Sequence, residues 1–282
     1  MSVNGRLAIH CAVLLFAIAG LFGKWLALSP EMIVAGRTFF SALVLALSIS
    51  LLSPRSFKIS PSKRLWFLIT GVLLALHWLL FFYAIQLATI AFALVLFASF
   101  PLFTALLEAW LFKQPLTWIT ALYIIAILAG VYLIVPEFGS ETIKYQAVSA
   151  GIGSAVTFAL LLVANRKLGQ QVPAYTIACY QNTVAFLLLV PFVVEHIPSV
   201  TASQWSMLIL LGVIFTALAH TLMNQALQTL TAIYASVAIC LEPIYGVIAA
   251  WWLLGEKLTF SALIGVALVL AVNVHASIKR TE

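Results

Sequence analysis

Runs of about 20 apolar residues follow one another along this chain with only short polar breaks between them, and that succession restricts the fold more than any other feature. A helix of about 20 apolar residues crosses the ~30 Å hydrocarbon core of a bilayer, where only helices and closed barrels satisfy their own backbone hydrogen bonds. The 282 residues are 64% hydrophobic and 8% charged, with a mean hydropathy of +1.16. Soluble domains carry about 25% charged residues. The sequence therefore predicts an all-α integral membrane protein.

Ten transmembrane helices are expected, near 7–28, 32–52, 64–87, 89–112, 116–135, 146–167, 173–194, 204–228, 231–254 and 259–277. The first follows Arg6 but exceeds the ~7–15 apolar residues of a secretory signal and lacks a small-residue cleavage site, so it is read as a span. The longer connections carry turn formers: SPRSFKISPSK (53–63), PEFGSETIKY (136–145) and EHIPSVTAS (195–203).

Charge placement sets an expected orientation. Arg6, Arg55, Lys58, Lys63, Arg64, Lys113, Arg166, Lys167, Lys279 and Arg280 all fall on the N-terminal side of these spans. Opposite them stand Lys144 and Lys257, with Glu31, Glu137, Glu141, Glu195 and Glu256. By the positive-inside rule both termini are cytoplasmic, in an inner or plasma membrane. The net charge of +6 thus reflects topology, and no basic, aromatic-interleaved soluble tract points to a nucleic-acid partner.

The chain also resembles itself. At an offset of 142, Ala84, Gln86 and Thr89 match Ala226, Gln228 and Thr231, and Ala93, Val95, Pro101, Trp110 and Leu111 match Ala235, Val237, Pro243, Trp252 and Leu253. Leu116-Thr117 matches Leu258-Thr259 at the same offset. At 143, Lys24, Pro30, Ala35 and Ala42 match Lys167, Pro173, Ala178 and Ala185. Residues 1–140 and 141–282 are therefore expected to be two five-helix repeats. Five is odd, so the halves cross the membrane in opposite senses, with a site expected at the midplane where they meet.

On these motifs the chain resembles the EamA-type transporters of the drug/metabolite transporter superfamily. The resemblance rests on the ten helices in two halves, Lys24…Pro30…Arg37, FPLFTALLEAWLFKQPLT (100–117) and LEPIYGVIAAWWLLGEKLT (241–259). It covers essentially the whole chain and departs from itself where Gln114 stands opposite Glu256. It implies secondary transport without a cofactor, in the export direction, of a small polar or amphipathic metabolite such as an amino acid or a related compound. Alternating access would then come from rocking helix bundles, with Pro101 and Pro243 as helix distortions.

Polar residues inside apolar spans are costly and mark candidate sites. Glu242 lies about eleven residues into its span, near the midplane. Two readings stand for it: a group that exchanges a proton or binds a substrate amine, and a hydrogen-bonding partner at the kink that Pro243 makes. Thr216, His220, Asn224 and Gln228 form a polar stripe at helical spacing, which argues for a hydrated cavity. His77, beside Trp78 and one turn from Phe81, reads first as a satisfied interior histidine. Lys24 and Arg37 flank a tight turn containing Glu31; they anchor the interface or form a basic vestibule for an anionic or zwitterionic solute. Trp78, Tyr180, Tyr234 and Tyr245 could supply an aromatic wall, Tyr245 lying three residues after Glu242. Glu108 with Lys113, and Glu256 with Lys257, are read as interfacial or structural.

Several classes fall away. Cys11, Cys179 and Cys240 lack metal-site spacing and read as small hydrophobes. AGIGSA (150–155) echoes an intramembrane serine protease, but Ala155 follows Ser154 and the chain contains no aspartate, so an enzyme is not expected. No phosphate-binding loop is present, which excludes ATP-driven transport by this chain alone. An uncoupled facilitator and a non-transporting membrane subunit remain as alternatives.

Overall fold

The computed structural model describes residues 4–111, 118–134, 141–230, 232–239, 241–256 and 259–278. Lys113, Gln114, Leu116, Thr117, Glu137, Thr231, Cys240, Lys257, Leu258, Lys279 and Arg280 lie outside the described residues, as do the side chains of Glu108 and Glu141.

Among the described residues the regular elements are helical: α1 (Gly5–Ala19), α2 (Phe22–Trp25), α3 (Pro30–Leu52), α4 (Pro61–Leu87), α5 (Ile90–Phe97), α6 (Phe100–Leu111), α7 (Trp118–Ile134), α8 (Glu141–Gly169), α9 (Ala174–Val193), α10 (Ala202–Gly212), α11 (Ala219–Ala226), α12 (Ala232–Ile239), α13 (Glu242–Leu254) and α14 (Phe260–Ile278). A 3-10 turn, Pro54–Phe57, precedes α4, and a π-helical turn, Val213–Leu218, joins α10 to α11. Among the described residues seven helical stretches are long and apolar enough to span a membrane: Gly5–Trp25, Pro30–Leu52, Pro61–Leu87, Ile90–Leu107, Thr142–Gly169, Ala174–Ser199 and Ala202–Ala226. Glu242–Leu254 and Leu263–Val272 are shorter apolar helices. The chain is a multi-pass membrane protein. Large side chains such as Leu52 (82% exposed) and Phe260 (79%) cover the outside, as lipid contact requires.

Two expected spans divide at their prolines. Over 89–112 and 231–254 one helix ends at Phe97 or Ile239 and another begins at Phe100 or Glu242. Pro101 and Pro243 thus occupy the second position of a new helix, where a missing N–H costs nothing, instead of bending a continuous one. The bounds of α5 and α12, and the starts of α6 and α13, repeat at an offset of 142.

Close approach of α3 and α10 positions the site. A Cβ on Gly212 would lie 2.6 Å from Phe40 Cβ and 2.8 Å from the Arg37 carbonyl oxygen, so only glycine allows this contact. α4 packs against α8 and α9, and α3 against α9, around a core containing Trp78, Phe82, Phe97 and Phe100.

Candidate functional site

Arg37 is 2% exposed, and its position follows from the π-helical turn. Such turns free backbone and side-chain groups from the regular ladder. There Thr216 Oγ1 donates to the Leu211 carbonyl at 2.7 Å and accepts from Arg37 Nε at 2.9 Å. Arg37 Nη2 donates to the Phe215 carbonyl at 3.3 Å. The guanidinium carbon lies 3.9 Å from the centroid of the Trp78 ring and 5.6 Å from that of Phe82. Hydrogen bonds on one edge and aromatic faces beside it hold the cation in a fixed plane.

This arginine shares a cavity with Glu242, His77, His220 and Trp78, walled by Phe16, Ala19, Phe81, Phe97 and Phe158. Its volume is about 20 Å³, room for about one water molecule. Glu242 is 6% exposed and opens α13, in line with the positive end of that helix. It lines the same cavity as Arg37. One small cavity is thus lined by an arginine, a glutamate, two histidines and a ring of aromatic side chains.

The histidines differ. His220 packs edge-on against Phe16 and Trp78, with centroids 5.0 and 4.8 Å away, and its Nδ1 has no hydrogen-bond partner among the described residues. His77 Nδ1 lies 3.1 Å from the Ser154 carbonyl oxygen and 2.9 Å from Ser154 Oγ. A carbonyl can only accept, so the bond to it is made by the tautomer with its proton on Nδ1, and these contacts join α4 to α8.

Asn224, one turn beyond His220, is 1% exposed and leaves both polar side-chain atoms unpartnered among the described residues. Asn165, Gln181 and Asn182 are fully buried on α8 and α9. Gln181 Nε2 donates to Asn165 Oδ1, while Asn165 Nδ2, Gln181 Oε1 and Asn182 Oδ1 stay unpartnered. Sequence reasoning passed over these three because they lack the four-residue rhythm of the α11 stripe.

Each end of the bundle carries a clasp. At the end opposite Gly5, Lys24 Nζ donates to the Ala88 carbonyl at 3.0 Å, and Gln86 and Gln204 donate to the Leu28 and Leu26 carbonyls at 2.6 and 2.8 Å. These two bonds flank Ala27, whose φ of 49° is strained for a residue with a Cβ. Gly255, at φ 69°, ends α13 in a left-handed turn that directs Glu256 onto α5. There Glu256 accepts from the Ile90 and Ala91 amides at 3.2 and 3.4 Å, while Thr89 accepts from Phe92 at 3.1 Å. At the Gly5 end, Arg166 Nη1 donates to the Leu230 carbonyl at 2.8 Å, and Gln228 Nε2 to that of Val172 at 3.2 Å.

The sequence candidates therefore separate. The cavity brings together Arg37, His77, Trp78, His220 and Glu242. Lys24 and Gln228 sit in the two clasps, and Asn224 lies buried beyond the cavity lining. Tyr245 is 38% exposed and outside that lining. Tyr180 bonds the Phe57 carbonyl, and Tyr234 lies under the Arg6 guanidinium. Cys11 is half-buried and Cys179 buried, both as free thiols.

The EamA-like transporter family matches this chain over residues 3–135 and 146–274. The uncharacterized transporter YxxF of Bacillus subtilis (strain 168) is 24% identical over 216 residues, 74% of this chain and 69% of that one. The pseudopaline exporter CntI of Pseudomonas aeruginosa (strain UCBPP-PA14) is 27% identical over 208 residues, 72% of each chain. Solute carrier family 35 member G1 of Homo sapiens is 27% identical over 248 residues, 77% of this chain and 63% of that one, so the match spans less than two thirds of the human protein. A crystal structure 19% identical to this chain superimposes with a TM-score of 0.71 over 99% of this chain and 98% of that one, a likeness of fold.

Proposed function

This chain belongs to the EamA-like transporter family, and we propose that it is a secondary transporter exporting a small polar or amphipathic metabolite, an amino acid or a related compound, by alternating access. The carrying observation is the buried cavity that Arg37 and Glu242 line together with Trp78 and several phenylalanines. At about 20 Å³ it cannot admit a metabolite without helix movement, in keeping with one closed stage of such a cycle.

The proposed architecture is ten helices in two inverted five-helix repeats, 1–140 and 141–282, with both termini in the cytoplasm of a cell with an inner or plasma membrane. Supporting it are the two family matches, the helix bounds that recur at 142, and the clasps. Lys24 to Ala88 and Arg166 to Leu230 each span 64 residues and close opposite ends of the bundle.

Glu242 is assigned the coupling role, taking and releasing a proton in the cavity as solute enters and leaves. The assay is uptake into proteoliposomes of solutes first identified by thermal stabilisation of the purified protein. Accumulation that follows an imposed pH gradient, and loses that dependence in Glu242→Gln while counterflow persists, is the expected result. Accumulation indifferent to the gradient in both proteins would leave an uncoupled facilitator. Absence of counterflow for every stabilising solute would defeat the transport reading itself.

A further inference from the structure

A second pocket, of about 260 Å³, opens at the end of the bundle where α1 begins. It is lined by Arg55, Ser56, Lys58, Ile59 and Ser60 of the α3–α4 connection, by Lys63 in the first turn of α4, and by Gln171, Val172 and Pro173 of the α8–α9 connection. We propose that this pocket binds a phosphate-bearing anion, and that the anion bridges the two connections.

Charge is the first ground. Three cationic side chains converge on the pocket and no carboxylate lines it. The stretches 32–107 and 142–194, which contain both connections, hold no acidic residue. Three like charges around one concavity repel one another unless an anion sits among them.

Rigidity is the second. A flexible basic loop would be a solvated surface, but this one is fixed from below. Tyr180 Oη donates to the Phe57 carbonyl at 2.8 Å, Thr176 Oγ1 bonds the Ser56 carbonyl at 3.5 Å, and Ser56 Oγ pairs with Tyr175 Oη at 3.1 Å. Ile59 and Tyr180 pack on Phe67, Leu168, Val172 and Ile177. The first turn of α9 thus holds the turn that presents Arg55 and Lys58.

Helix polarity is the third. α4 is 27 residues long and begins at the pocket, and its N-cap Ser60 makes no side-chain capping bond. Pro61 has no N–H and the Lys63 amide bonds the Ser60 carbonyl at 2.9 Å, so it is the positive end of the helix dipole, with the Ser62 amide, that lies beside the pocket. The Ser60 and Ser62 hydroxyls stand 3.0 Å apart at the same place. Cations, hydroxyls and the positive end of a long helix together match tetrahedral phosphate chemistry. Two sources carry that chemistry at a membrane surface: an anionic phospholipid headgroup and a soluble phosphate compound.

The test uses the full chain in nanodiscs of phosphatidylcholine alone and in nanodiscs containing phosphatidylglycerol, with inorganic phosphate titrated into the first. Thermal unfolding and native mass spectrometry of retained lipid are the readouts. Arg55→Gln, Lys58→Gln and Lys63→Gln are compared with Arg64→Gln, which removes an equal charge without touching the lining. Retention of phosphatidylglycerol with no response to free phosphate identifies the lipid headgroup; saturable stabilisation by phosphate alone identifies the soluble source. In either case each lining variant should weaken binding about fivefold, and Arg64→Gln should not. Equal losses in Arg64→Gln and the lining variants, or no saturable binding in either arm, would overturn the proposal. The transport reading plays no part in this outcome.

Discussion

Arg37 lies with its guanidinium carbon 3.9 Å from the Trp78 ring centroid while its Nε donates to Thr216 at 2.9 Å. Stacking and hydrogen bonding act on different parts of one planar group, so the cation is both oriented and buried. Arg37→Lys keeps the charge and loses the fork and the stack. Because charged hydrogen bonds contribute about 1.5–3 kcal/mol, counterflow should fall on the order of tenfold or more. Thr216→Val should give a smaller loss, since the Phe215 carbonyl still accepts. Unchanged initial rates in Arg37→Lys would remove this arginine from the site.

Lys24 and Arg166 make equivalent bonds at opposite ends of the bundle, so removing each should open a different end. A cysteine at Ala19, introduced after replacing the native cysteines, reports access to the cavity lining. In Lys24→Met, labelling by an impermeant maleimide should rise about tenfold from the side opposite the N-terminus; in Arg166→Met it should rise from the N-terminal side. Increases on the same side in both variants would contradict the paired arrangement.

Glu256 and Gly255 form one device, in which a left-handed glycine turns a carboxylate onto the start of α5. Glu256→Ala leaves two first-turn amides without their acceptor and should cost about 0.5–2 kcal/mol. Gly255→Ala should cost about 1–2 kcal/mol through its positive φ. Chemical unfolding of the purified protein checks both. The double variant should lose less than the sum, because both changes release the same contact.

Gln181 Nε2 donates to Asn165 Oδ1 inside the helix packing, joining α9 to α8. Gln181→Leu strands the asparagine and should lower the unfolding temperature. Asn165→Leu combined with Gln181→Leu removes both partners and should restore much of it, since one orphaned polar group costs more than an absent pair. A double variant less stable than either single one would show that these amides serve further partners.

Much of the fold was legible in the sequence because lipid imposes rules a sequence displays. Span length, the basic asymmetry and the repeat at 142 need only a linear reading. The repeat marks Pro101 and Pro243 as paired positions; bends were expected there, and the helices stop and restart instead. Lys24 pairs with Lys167 at an offset of 143, whereas the Lys24–Ala88 and Arg166–Leu230 hydrogen bonds recur at 142.

The site was less legible. Glu242, His220 and His77 announce themselves as costly groups in apolar spans, but nothing in their spacing says that Arg37 joins them. Arg37 near a helix end reads equally well as an interfacial anchor. It became a buried cation because Gly212 lets α10 approach α3 and because the π-helical turn exposes Thr216 and Phe215 to it.

By itself, then, the sequence determined the solvent of this protein, its helical backbone and its internal repetition, because hydrophobic length and charge asymmetry act locally along the chain. Only the tertiary structure decided which polar residues share a cavity, which close the ends, and that Glu242 and Arg37 line the same space. That cavity joins residues as far apart in sequence as Phe16 and Glu242, and its geometry depends on helix breaks and close approaches that no local pattern encodes.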